Sequence, residues 1–201
     1  MPYSDFTLQR VKKELQLELV EEHGLFSKID SLQPSDLLVR NLEDNVPLAL
    51  AINTEKARSE LIISAVLVEL KRIFKKELSL FSGIEFNVDK EKGLAGFCDF
   101  MLSASSEQLM LSAPVVAVVE AKNENIIGGL GQCIAEMAAA QLFNQQENNT
   151  VTAIYGTVTS GNIWRFLKLN KQTVHIDLQD YYIENLGKIL GILSGMIKQV
   201  V

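Results

Sequence analysis

Apolar positions recur at helical spacing at both ends of the chain and in two interior stretches. Between them the pattern switches to strand-like runs. From Asp5 to Glu22, the residues Leu8, Val11, Leu15, Leu17 and Leu19 predict an amphipathic helix that Gly24 stops. Ser35, preceded by Pro34, predicts the N-cap of a short helix reaching Leu42. From Asn45 to Asn53 the pattern is ambiguous, and Pro47 argues only against a central strand. Thr54 is a good N-cap and Glu55 suits the positive end of a helix, which predicts a helix to about Lys76. Leu61 to Leu70 is apolar nearly all round, so burial on several sides is expected there.

Strands are predicted from Gly83 to Val88, Leu94 to Leu102 and Val115 to Glu120. Gly128 and Gly129 precede a helix from about Leu130 to Gln146. Further strands cover Val151 to Thr157, Asn162 to Leu169 and Thr173 to Leu178, the first two joined as a hairpin through Ser160-Gly161. A last helix runs from about Ile183 to Lys198, with Gly187, Gly191 and Gly195 at every fourth position. Each glycine costs about 1 kcal/mol relative to alanine in a helix interior. Another helix or the sheet is therefore expected to approach closely on that side. The order of elements predicts an α/β fold, a mixed sheet with helices on its faces. It is expected to form a single domain over residues 1–201, with an N-terminal helical extension at about 1–53.

Composition narrows the function. Nineteen basic against 25 acidic side chains leave a net charge of −6. That excludes the whole-protein basic field of non-specific nucleic-acid binders and leaves room for a local basic groove. Cys98 and Cys133 alone make neither a disulfide framework nor a four-ligand zinc site, and they fit a reducing cytoplasm. Met1 to Leu8 is polar, so no secretory leader is expected. The longest apolar stretch, Leu61 to Val68, is interrupted by Ser64 and is too short to span a bilayer. A cytoplasmic location without a membrane partner is the expectation.

The chemistry concentrates in the middle strands. Asp99 interrupts one apolar strand, and Glu120 and Lys122 end the next. Alternation puts Glu120 and Lys122 on one face and Ala121 on the other. A charge within an apolar strand is costly unless it is paired or bound to a metal. Two carboxylates on neighbouring strands beside a lysine suit a hard divalent cation and an anionic substrate. Mg²⁺, or Mn²⁺, would take one oxygen each from Asp99 and Glu120, with the Ala121 carbonyl as a further donor. Lys122 would orient water or stabilise charge at phosphorus.

The run Gly96-Phe97-Cys98-Asp99, followed by Val118-Val119-Glu120-Ala121-Lys122 and then a helix, resembles the PD-(D/E)XK, or restriction-endonuclease-like, nuclease superfamily. The resemblance covers about residues 54–178. The segment Thr159-Ser160-Gly161-Asn162-Ile163-Trp164-Arg165-Phe166 is similar to one in the N-terminal nuclease domains of type I restriction motor subunits. The resemblance implies a restriction-endonuclease-like sheet and metal-dependent hydrolysis of nucleic-acid phosphodiesters, with DNA as the favoured partner. It implies Asp99 and Glu120 as metal ligands, Glu60 on the first core helix as a further one, and a functional Gln132 on the helix after Lys122. A homodimer would let two such sites cut both strands. The alternative is a catalytically inactive member of the same fold that serves binding or assembly, which the acidic net charge favours. A small-molecule α/β protein is the third option. Gly128-Gly129 lacks the lysine of a P-loop, which argues against nucleoside-triphosphate chemistry.

Each of these residues also has an ordinary structural explanation. Glu120 and Lys122 can form a plain ion pair, and Asp99 a turn or edge pair with Lys122. Glu60 near a helix start is favoured by the dipole alone. Gln132 and Glu136, four apart, fit an exposed helix face. Lys71, Arg72, Lys75 and Lys76 suit a solvated helix end as well as a phosphate track. Trp164 and Arg165 can stack on a base or sit in a half-buried hairpin. Cys98 is expected in the core.

Overall fold

The computed structural model describes residues 2–200; Met1 and Val201 lie outside it. Helices α1 (Leu8–Glu14), α2 (Asp36–Ile52), α3 (Glu55–Arg58), α4 (Ser64–Phe74), α5 (Ile126–Gln146) and α6 (Leu186–Lys198) enclose one sheet. Its strands are β1 (Glu18–Glu22), β2 (Ser79–Glu85), β3 (Phe97–Ser103), β4 (Val115–Ala121), β5 (Ile154–Thr159), β6 (Ile163–Asn170), β7 (Thr173–Asp177) and β8 (Tyr181–Tyr182). The spatial order is β1-β7-β6-β5-β4-β3-β2, with the short β8 also on β6. β4 and β5 are parallel, as are β1 and β7; the remaining pairs are antiparallel. The mixed α/β sheet flanked by helices is thus as expected. A parallel pair needs a crossover, and α5 supplies the one between β4 and β5.

Strand alternation sorts the core into two layers. On β6, Trp164 and Phe166 join Ile62, Leu67, Leu70, Leu190 and Leu193 beneath the α4/α6 side. Leu167 and Leu169 join Val11, Cys133, Ile134 and Met137 beneath the α1/α5 side. α5 is long and apolar enough to cross a bilayer by length and composition, a stretch that the sequence analysis did not single out. Here it lies along β4 and β5, with Cys133, Ile134, Met137 and Ala140 buried.

Besides shifted strand ends, with β2 at Ser79–Glu85 where Gly83–Val88 is expected and β5 at Ile154–Thr159 where Val151–Thr157 is expected, three elements differ from the sequence expectations. The helix expected from Asp5 to Glu22 stops at Glu14, and Gln16 takes a left-handed conformation at φ 54°. Glu18–Glu22 instead runs parallel to β7 from Glu18↔Thr173 to Glu22↔Asp177. Leu17 and Leu19, two apart, share a strand face and pack into the α5-side core. The N-terminal segment is therefore built into the sheet. The second difference is α2, which runs through Pro47 to Ile52. Pro47 is exposed, so water can satisfy the carbonyl that loses its donor. Third, the helix begun at Thr54 contains a π turn over Ser59–Ile63, into whose Leu61 carbonyl Asn45 Nδ2 donates at 3.1 Å.

The glycine stripe on α6 is a contact, but neither a helix nor the sheet makes it. A Cβ on Gly191 would stand 2.0 Å from the Asp30 carbonyl oxygen, and one on Gly187 3.1 Å from that of Leu32. What approaches is the backbone of residues 30–32, with the Ile29 side chain beside Gly195. The basic run ends α4 structurally: Lys71 Nζ donates to the carbonyls of Lys75 and Leu78, the latter at 2.6 Å.

Candidate active site at the end of β4

β4 is buried along its whole length, so a charge at its end must be met by the fold. Alternation puts Glu120 on the α5 face with Val118, while Ala121 joins the opposite core. Glu120 is 1% exposed. Lys122, just past the strand, pairs with Glu120 Oε1. Its Nζ also donates to Gln132 Oε1 at 3.3 Å. Gln132 Nε2 in turn donates to Glu136 Oε1 at 3.1 Å. Glu120, Lys122, Gln132 and Glu136 thus form one chain of contacts between β4 and α5. Gly129 makes room for it: a Cβ there would stand 3.0 Å from Lys122 Cε and 2.8 Å from Val158 Cγ1.

Asp99 stands where β3 and β4 diverge. Their ladder ends at Phe100↔Val119, and Asp99 and Glu120 occupy the next positions. Asp99 Oδ2 accepts the Ala121 N–H at 2.8 Å. That N–H points toward β3, because the next one, on Lys122, bonds the Thr159 carbonyl of β5. The carboxylate replaces the main-chain acceptor that a continued ladder would supply. Asp99 also lines a cavity of about 300 Å³ with Glu55, Ser59, Glu60, Ser82 and Ala121. Glu60 is across this cavity, 60% exposed at its side chain and paired with Lys56 at 2.7 Å.

The electrostatics follow from burial. Burial first, and the Asp99 charge second, push the Glu120 carboxyl up to about 7, although Lys122 works the other way. Burial and the Glu120 charge hold Glu136 well above the usual carboxylate range. Burial alone would lower the Lys122 ammonium, but Glu120 and Asp99 outweigh it and raise it, so it stays charged. Glu120 Oε2 and Glu136 Oε2 are buried and meet no donor among the described residues.

The i, i+4 spacing fits Glu136 to an exposed helix face as readily as to the site; it is fully buried. Trp164 is not half-buried but wholly enclosed, its Nε1 donating to the Gly161 carbonyl at 2.7 Å, so it offers no face to a base. Arg165 is held by Asp180. Cys98 lies in the core, as expected. Arg58, to which the sequence pattern assigns no role, is buried and ties Asn53, Asn123, Ser160 and Asn162 together beside Lys122. Its one signal was position, an arginine between Ala57 and Leu61 on an otherwise apolar helix face.

The donor set is hard oxygen. Among the described residues, no three His, Cys, Asp or Glu side chains gather as a ready-made metal cage. Mg²⁺ commonly needs only one or two carboxylates besides water and substrate phosphate. The partly accessible Asp99 carboxylate and the unpartnered Glu120 Oε2 offer two such oxygens, although Glu120 is buried on the α5 face and does not line the cavity that Asp99 shares with Glu60. In comparisons with known proteins, the chain matches no family model and no curated protein.

Proposed function

We propose that this protein is a restriction-endonuclease-like nuclease that hydrolyses nucleic-acid phosphodiesters, DNA first among them, with Mg²⁺ or Mn²⁺. One observation carries the proposal: a lysine ammonium anchored on a buried glutamate at the end of a central strand, with an aspartate at the neighbouring position of the next strand. Asp99 and Glu120 would hold the cation, with Glu60 reaching in from the cavity rim. When bound, such a cation supplies Lewis acidity at the phosphate and a water of lowered pKa.

The chain's own residues do the rest. Lys122, charged at neutral pH and held by Glu120 and Gln132, presents a fixed positive charge where negative charge develops on phosphorus. Gln132 fixes that ammonium from the α5 side.

The test is cleavage of DNA and RNA substrates at low salt with Mg²⁺ or Mn²⁺. Activity should vanish with chelator. Glu120→Gln should abolish turnover with the melting temperature retained, since the amide fills the same volume. Equal activity of wild type and Glu120→Gln would place the chemistry elsewhere. Silence of the wild type on every substrate would favour an inactive binding module.

A further inference from the structure

Arg58 is a buried cation, 6% exposed, that pairs with no anion among the described residues. Its Nε donates to Asn123 Oδ1 at 3.0 Å, and its Nη1 to the Ser160 carbonyl at 3.0 Å and Asn162 Oδ1 at 2.9 Å. Nη2 donates to Asn53 Oδ1 at 3.1 Å. Burying a charge is costly unless it is paired. Here neutral oxygens satisfy its hydrogen bonds and leave its charge uncompensated.

The three asparagines have a consequence outside the pocket. A guanidinium only donates, so each carboxamide must turn its oxygen toward Arg58 and its NH₂ away. The Asn123 NH₂ reaches the Asn53 carbonyl at 3.4 Å. Those of Asn53 and Asn162 meet no acceptor among the described residues. Asn53 is exposed, and Asn123 and Asn162 are half-buried. Outward donors backed by a buried positive charge are thus clustered in a chain of net charge −6. The cluster is at the same end of β4 and β5 as the candidate site. Asn123 follows Lys122, and Ser160 follows Thr159, whose carbonyl accepts the Lys122 N–H at 2.8 Å.

We infer that Arg58 with Asn53, Asn123 and Asn162 forms an anion site that takes a backbone phosphate of the nucleic acid flanking the bond to be cut; the identity of the anion rests on the nuclease reading above. The amide groups touch the phosphate, and Arg58 acts through them as a fixed charge. A purely architectural Arg58 would be served better by an aspartate at one of these positions, because a buried, hydrogen-bonded pair removes the uncompensated charge. That contrast makes the test.

Asn162→Asp keeps the side-chain shape, pairs with Arg58 and removes the outward donor. Binding of labelled single-stranded and duplex DNA is followed by fluorescence anisotropy in chelator, where no cation engages Asp99 or Glu120. The affinity of Asn162→Asp should fall on the order of tenfold, while its melting temperature stays equal or rises. Asn53→Asp, on the exposed edge, should lose affinity likewise and decides the matter if Asn162→Asp does not fold. Affinities of both variants within about twofold of wild type, a factor well below one tenfold step, would overturn the inference, even if wild type cleaves DNA. A wild type that binds neither DNA would overturn it too. Binding that both variants weaken supports the site even where nothing is cleaved, and that outcome overturns only the hydrolytic reading.

Discussion

Glu120 and Glu136 lie against each other with both Oε2 atoms buried and neither meeting a donor among the described residues. Two ionised carboxylates cannot donate to one another. A proton or a cation between β4 and α5 relieves that contact. In a folded chain free of metal, the proton is the partner, and a pH dependence of stability follows.

Both groups are ordinary carboxyls in the unfolded chain, near 4.5, and folding raises both, Glu120 to about 7 and Glu136 well above its ordinary value, through burial first and then the charges of Asp99 and Glu120 respectively. An acid raised by folding stabilises the protein fully below its unfolded value, and the contribution is lost as pH rises through the folded value. In chelator, the melting temperature of wild type should fall by several degrees from about pH 4.5 to above 7. Glu136→Gln, which carries no titratable proton, should flatten that slope. Parallel slopes for the two proteins would show that Glu136 does not titrate in this window.

Lys122 should matter to rate more than to cation affinity. It is no ligand, and removing one donor aimed at a transition state costs about 10²–10³ in rate elsewhere. Lys122→Met should show a loss of that order in single-turnover cleavage, with Mn²⁺ affinity changed only a few-fold. Its removal also leaves Glu120 facing Asp99 without a neighbouring cation, so Glu120 should hold its proton more tightly. A rate equal to wild type would remove Lys122 from the chemistry.

Asp99 and Glu60 line one cavity but differ in restraint. Asp99 is fixed by the Ala121 N–H, whereas Glu60 is largely exposed and paired with Lys56. A fixed ligand spends less entropy on binding. Calorimetric titration with Mn²⁺ should therefore show Asp99→Asn weakening affinity more than Glu60→Gln. The reverse order would move the cation toward the cavity rim.

The α6 glycines should divide sharply. A Cβ at Gly191 would meet the Asp30 carbonyl oxygen at 2.0 Å, where backbone cannot yield. One at Gly195 would stand 3.5 Å from the Ile29 side chain, an ordinary contact. Gly191→Ala should destabilise by about 1–3 kcal/mol, whereas Gly195→Ala should gain up to about 1 kcal/mol of helix propensity. Thermal melts of the two variants check both signs, and a neutral Gly191→Ala would mean that residues 30–32 shift freely.

Local rules were sufficient for most of the fold. Period, caps and turn residues predicted the strands around Asp99 and Glu120, the hairpin through Ser160-Gly161, and the helices after Thr54 and Lys122. Side-chain alternation likewise put Glu120 with Lys122 and Ala121 opposite, because pleating is a property of the strand itself. Other features depended on residues far apart in sequence. Glu18–Glu22 became a strand because β7, some 150 positions on, offers it a parallel edge. No local propensity carries that information. The burial of Glu136 was decided by the packing of α5 on β4, and the fate of Arg58 by the meeting of three asparagines from separate loops. The sequence by itself determined which chemical groups were present and which faces of their own elements they took. Only the tertiary structure decided which of them would share a dry space, because partnership between distant groups is settled by the packing of whole elements.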